Sequence, residues 1–311
     1  MRSLRDLALA GALSAALYAG MALMPNGAAA LVWALPLPGL VFAAVRPREI
    51  ALWFALTAFV LALAVNGACA VAFALTLGVA TFFMAAGIQR SWSVDQTVAA
   101  ALGAWALGLG ILFFLGSGTL ADGIAAARDQ VDKAFSLTIE ASKAAGADAD
   151  ALALLEGERS TLVDSVLRVL PGLVILTGAA ILCVNLAVAR RIVPVFEDFR
   201  LPYWRAPEVL IWVFIASGFG MFGPFDAISV VASNVFVVLL GCYFLQGLAI
   251  VMYYLDRFGL PVSLRIGTYL LIGIQQLLAA VVLALGIFDL WGDFRRLHTG
   301  AADASLDSDG D

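Results

Sequence analysis

The chain has 311 residues, 63% of them hydrophobic and only 13% charged, with one histidine, three cysteines and a net charge of −5. That composition excludes a water-soluble globular fold, and the lack of any basic run excludes nucleic-acid binding, since nothing could neutralise phosphates. A hydrocarbon core roughly 30 Å thick needs about 20 apolar residues of helix per crossing, and such stretches recur along the chain. The predicted fold class is all-α, a polytopic transmembrane helical bundle of eight or nine spans in the lipid bilayer, with an extracytoplasmic helical hairpin insert.

The spans are predicted at residues 4–24, 28–44, 50–64, 68–88, 98–115, 166–189, 209–222, 228–255 and 266–290. They are continuous apolar runs, whereas the strands of a membrane barrel would alternate with a period of two. Arg2 and Arg5 before the first run, and the small residues 28–30 after it, imitate a secretion signal. The run is long enough to span and further spans follow at once, so an uncleaved first helix is expected. Ala8, Ala12 and Ala16 share one face of that helix, with Gly11 and Ala15 beside it. Small residues four apart let helix backbones approach closely in lipid, which makes these three the candidate partner contacts.

Pro36 and Pro38 interrupt the second span in mid-crossing, close to Trp33. The freed backbone groups must find new partners, in a packed kink or along a binding cavity of the transporter type. Asn66 lies at the junction of the third and fourth spans, and Trp105 in the fifth. The membrane pattern then breaks at 117–165, where Leu120, Ile124, Val131 and Phe135 recur at helical spacing. Gly146, Asp148 and Asp150 mark a turn, and Leu155, Leu162 and Val166 form a second stripe. A hairpin of two helices follows, with its apolar faces packed on each other or on the bundle. It reads equally as a docking or gating element and as a solvated spacer.

Residues 196–208 mix Phe196, Phe199, Tyr203 and Trp204 with Glu197, Asp198, Arg200 and Arg205. Aromatics beside arginines predict an interfacial segment at headgroup level, limited to short pieces by Pro202 and Pro207. In the sixth span lies Asn185, in the eighth Asn234 and Gln246, and in the ninth Gln275 and Gln276. Gln246, Ile250, Tyr253 and Arg257 fall on one stripe running to the cytoplasmic face, usable by a polar ligand or by a neighbouring helix. At the far end of the ninth span Asp289, Asp293 and Arg296 share a face, which predicts a salt-bridged helix end. Four regions result: an N-terminal bundle of about five spans at 1–116, an acidic amphipathic helical hairpin at 117–165, a C-terminal bundle of three or four spans at 166–297, and a disordered acidic tail at 298–311.

Basic residues of short loops stay cytoplasmic. With the N-terminus inside, Arg2, Arg5, Arg46, Arg48, Arg90, Arg190, Arg191, Arg200, Arg205, Arg257 and Arg265 all fall on that side of the bacterial inner membrane, and the opposing short loops carry none. Only a ninth span breaks the rule, by exporting Arg295 and Arg296. Either the tail is an exception or one segment does not cross, and the short 209–222 run with Gly218 and Gly220 is the weakest.

No enzyme is predicted. The single histidine, His298, lies beyond the last span, which removes an essential residue from histidine-dependent proteases, zinc proteases and haem bundles. Neither HExxH nor a P-loop occurs, and Cys69, Cys183 and Cys242 are unclustered, so no metal and no cofactor is expected. The spans hold almost no charge in mid-membrane, which disfavours a self-contained ion-driven carrier. What remains as candidate ligand-binding residues is uncharged: Trp33, Asn66, Asn234, Gln246, Tyr253 and Gln275. Each would otherwise pack or hydrogen-bond between helices.

ALPLPGLVFAAVRPREIAL at 34–52, NVFVVLLGCYFLQGLAIVMYYLDR at 234–257 and LGIFDLWGDFRRL at 285–297 carry a resemblance to the YybS-like bacterial membrane proteins, whose biochemical function is not established. The N-terminal half is also similar to the substrate-binding membrane subunits of energy-coupling-factor transporters. That likeness implies a bundle binding an unknown small molecule, with Ala8, Ala12 and Ala16 meeting a coupling subunit driven by ATPases. Those subunits have six spans and no acidic hairpin. The leading expectation is therefore a small-molecule-binding transporter component energised by a separate partner, its cavity lying between the N-terminal spans and the eighth helix. Its rival is a non-catalytic scaffold for an envelope, division or assembly complex, docking through the hairpin.

Overall fold

A computed structural model describes residues 2–23, 29–193 and 200–295, in two compact units, Met1–Glu197 and Asp198–Asp311. The expected tail at 298–311, His298, Arg296 and the aromatic residues Phe196 and Phe199 lie outside the described residues. No strand occurs among those described.

In the first unit α1 (Arg2–Leu23) packs against α3 (Ile50–Ala64), where the Trp53 indole N–H donates to Ser14 Oγ at 3.2 Å. The second predicted span is broken as its prolines require: a 3-10 turn at Ala29–Ala34 precedes a nine-residue α2 (Leu37–Val45). Asn66 caps α4 (Gly67–Phe73), its Oδ1 accepting from Cys69 N at 2.8 Å. A π-bulge over Ala74–Gly78, with Thr76 at φ −113° and ψ −107°, separates α4 from α5 (Val79–Gln89). The bulge pushes the Leu75 carbonyl onto α6 (Val94–Ser117), where a Cβ on Gly108 would sit 1.4 Å from the oxygen, so only glycine fits. Trp53, Leu40, Leu61 and Met84 fill the centre of this unit, each at most 1% exposed. Lipid tails are as apolar as leucine, so cohesion comes from close packing and interhelical hydrogen bonds instead of from a hydrophobic drive.

The hairpin forms as α7 (Leu120–Ala144), a turn at Gly146 and α8 (Ala149–Gly157), leading into α9 (Arg159–Ile192). The predicted stripe is only partly covered. Leu120, Ile124, Leu155 and Val166 are exposed, Val131, Phe135 and Leu162 are half-buried, and Gly123, Ile139, Leu152 and Val163 are buried, Gly123 against Phe113 of α6. Ion pairs also link the helices. Arg159 grips Asp132 through Nε at 2.7 Å and Nη2 at 2.6 Å and also reaches Ser136 Oγ, Lys143 meets Glu156 at 2.8 Å, and Arg128 pairs with Asp164. The Arg159 guanidinium holds the Asp132 carboxyl below its ordinary range, and Lys143 does the same for Glu156.

In the second unit a 3-10 turn at Leu201–Tyr203 leads to α10 (Val209–Gly220), which lies along α11 (Asp226–Arg257) with Phe214 stacked on Phe236 at 4.7 Å. The last predicted span is two helices, α12 (Val262–Ile274) and α13 (Gln276–Gly292), bent by 101° at Gln275. α13 crosses α11 where Cβ atoms on Gly247 and Gly286 would lie 1.8 Å from Val282 O and 1.9 Å from Tyr243 O. Among the described residues six helices are long and apolar enough to cross a membrane, and a seventh if the bent pair is one span; Leu31–Val45 and Val209–Gly220 are shorter. The expected eight or nine therefore include two short segments and one broken one.

Candidate functional site

Among the described residues, a buried cluster of charged and polar groups lies in the second unit, built from the turn before α10, the middle of α11 and the end of α13. Asp289, 1% exposed in the last turn of α13, is its centre. Its Oδ2 accepts from Arg295 Nη2 at 2.7 Å and from Gln246 Nε2 at 3.1 Å, and its Oδ1 accepts from Phe294 N at 3.1 Å. Arg205 Nε stands 4.0 Å from the same Oδ2, and Arg205 Nη1 stands 3.7 Å from Asp293 Oδ1. Two guanidinium groups thus face two carboxylates, and the cluster is electrically neutral, the form in which buried ions are tolerated.

Backbone oxygens supply the remaining acceptors. Arg295 Nη1 donates to Pro202 O and Trp204 O, both at 2.8 Å, and Arg205 Nη2 donates to Asp289 O at 2.7 Å and Leu290 O at 3.2 Å. Ala206 N donates to Gln246 Oε1 at 3.0 Å. Three buried guanidinium nitrogens, Arg205 Nε, Arg205 Nη1 and Arg295 Nε, make no hydrogen bond among the described residues. The group contains no nucleophile beside a base. Its chemistry is that of a latch, holding the 200–206 segment to both long helices.

Residues 200–206, expected at headgroup level, are bonded within the unit through the Pro202 and Trp204 carbonyls and the Ala206 amide, and Tyr203 lies against Tyr253 near the end of α11. The salt-bridged end of α13 exists, but its partners are Arg295 and Arg205. Asp293 takes a left-handed conformation, φ 34° and ψ 53°, which ends the helix and folds Arg295 back over Asp289. Arg296, the partner that helical spacing suggested, lies outside the described residues.

Among the sequence candidates, Trp33 and Asn66 belong to the first unit and the other four to the second. Trp33 is exposed, and its carbonyl accepts from Asn185 Nδ2 at 2.8 Å. Asn66 is an exposed helix cap. Asn234 donates to Val230 O within its own helix at 2.8 Å. Gln246 is engaged at both ends of its amide, and Tyr253 sits edge-on to Tyr203 at 5.6 Å. Gln275 is exposed at the α12–α13 break. Gln246 and Tyr253 both meet the 200–206 segment, at Ala206 and at Tyr203. Ala8, Ala12 and Ala16 are exposed on α1, away from the buried Gly11, Ser14, Ala15 and Tyr18. Arg205, Asp289 and Arg295 were missed as a group. The signal available was an aspartate in an apolar helix, which needs a counter-charge wherever the chain can supply one.

No curated protein and no solved structure matches the chain. Residues 12–290 match the family described as predicted membrane protein (DUF2232). The matched segment covers most of the chain and ends within the last turn of α13, so this protein is a member of that family of predicted membrane proteins.

Proposed function

We propose that the protein is a multi-pass component of a bacterial inner-membrane transporter, with its N-terminus cytoplasmic, that binds a small molecule and is energised by a separate partner. The observation that carries this reading is the set of interrupted membrane segments: the Pro36 break, the π-bulge at Thr76 and the bend at Gln275. Interrupted helices expose backbone groups at membrane depth, and transporters use such groups to bind substrates. The likeness of the N-terminal half to substrate-binding subunits of energy-coupling-factor transporters points the same way, with exposed Ala8, Ala12 and Ala16 as the coupling face. The protein itself catalyses no reaction on this reading. Mass spectrometry of the intact protein, purified gently from native membranes, tests it. An ATPase with a coupling subunit, or a retained metabolite, is the expected result; envelope or division proteins with no retained small molecule would refute it.

The second reading, a scaffold docking through the hairpin, is favoured by Leu120, Ile124, Leu137 and Leu154, exposed on α7 and α8 beyond the apolar spans. Exposed leucines on an aqueous segment mark an interaction surface. Deleting residues 121–150 would then abolish partner association while the bundle still inserts, and an unchanged partner set would count against it.

A further inference from the structure

We infer that α12 and α13 form a re-entrant pair, entering and leaving the bilayer on the face where α11 ends, so that the C-terminal end of the chain lies on the same side as Arg257. Both ends of the pair are tied to the last turns of α11. At the start, Arg265 donates through Nε to Leu260 O at 2.7 Å and pairs with Asp256. At the finish, the Tyr254 hydroxyl donates to Phe294 O at 2.8 Å. Tyr254 and Asp256 are two residues apart, about 3 Å along a helix axis, whereas the two ends of a crossing would be separated by roughly 30 Å. In between, Gly247 meets Val282, ten residues and about 15 Å short of the end of α11, so the pair reaches into the bilayer before returning.

The chain reverses at the 101° bend beside Gln275, and Gln276 begins α13, so two side-chain amides stand where helical backbone bonding is interrupted. Polar side chains are what interrupted backbone at membrane depth requires. The path of α10 completes the topology. From Tyr203 against Tyr253, through Ala206 at Gln246 and Phe214 at Tyr243, to Met221 O accepting from Ser229 Oγ, this segment runs along 24 residues of α11, about 36 Å. It therefore crosses, and the re-entrant element is α12–α13 instead of the 209–222 run. Arg257, Arg265 and Arg295 then share one side, and the export of arginines that a ninth span would demand disappears.

Single cysteines in the full-length chain, with Cys69, Cys183 and Cys242 replaced by alanine, test the inference in right-side-out and inverted vesicles with a charged, membrane-impermeant maleimide. Phe258→Cys and Ser305→Cys should label in the same vesicle preparation, and Phe222→Cys, at the turn between α10 and α11, in the opposite one. Ser305→Cys labelling together with Phe222→Cys would overturn the inference. Should the cysteine-free background fail to fold, a protease-cleavable tag after Asp311 and another inserted at 258–260 of the natural chain give the same reading. Cleavage of both in one preparation supports the re-entrant pair, and cleavage in opposite preparations refutes it.

Discussion

Substituting Asp289 by asparagine should be among the most damaging single changes in the second unit. The carboxylate accepts three hydrogen bonds, from Arg295 Nη2, Gln246 Nε2 and Phe294 N, and the Arg295 side chain is 0% exposed. An asparagine keeps the shape but removes the charge and turns one acceptor into a donor, facing either Arg295 or the Phe294 amide. The guanidinium of Arg295 is then a buried cation without its counter-ion, and breaking a buried pair from one side costs about 3–5 kcal/mol. At roughly 2–4 °C per kcal/mol for chains of about this size, the melting temperature in detergent should fall by on the order of 10 °C. Aggregation-monitored melting of the purified protein reads this directly. The double variant Asp289→Leu with Arg295→Met removes both charges and should recover most of the loss, because apolar replacement of a whole buried pair is close to neutral. A melting temperature of Asp289→Asn within a degree of the parent would refute the reasoning, as would a double variant no better than the single one.

Gly286→Ala should separate α11 from α13, since its methyl would lie 1.9 Å from Tyr243 O, whereas Gly273→Ala meets nothing within 4 Å and should melt like the parent. Gln246→Ala strips partners from Asp289 and Ala206 and should cost about 1–3 kcal/mol, while Asn66→Ala loses one helix cap, about 1 kcal/mol, both read as melting shifts. Asp132 and Glu156 are lowered from ordinary values of 3.8 and 4.5, so their ion pairs contribute fully above those values and are lost as the pH falls below them through the lowered ones. Hydrogen exchange should therefore show α7 and α8 equally protected from pH 8 to pH 5 and loosening only in stronger acid, and Arg159→Leu should weaken that protection already at neutral pH.

The helices themselves were legible because in lipid the apolar run is the span, and because local signals marked the interruptions. Pro36 broke the second segment where it stands, and Gly146 turned the hairpin. Less visible were the features set by contact. Nothing in the residues 74–78 announces a π-bulge, whose Leu75 carbonyl lies against Gly108 some thirty residues on. The hairpin stripe was legible only in part. Val131, Phe135 and Leu162 are half-buried but Leu120, Ile124 and Leu155 are exposed, and the spacing of the stripe said nothing of the cross-helix pairs Arg159–Asp132 and Lys143–Glu156.

The candidate site was half legible, and the missing half follows from one dihedral. Gln246 and Asp289 stood out as polar residues in apolar helices, yet on a straight helix Arg295 points away from Asp289. The left-handed turn at Asp293, just after Gly292, converts that sequence spacing into a bonded pair and at the same time stops α13 at the level of Tyr254. A single backbone conformation thus both closes the buried charge cluster and holds the end of α13 at the end of α11. Asp289→Asn and the vesicle-labelling experiment therefore interrogate the same element. If the latch holds the pair in place, the destabilised Asp289→Asn protein should also label faster than the parent at a cysteine placed at Gln275, and equal labelling rates would separate the latch from the topology.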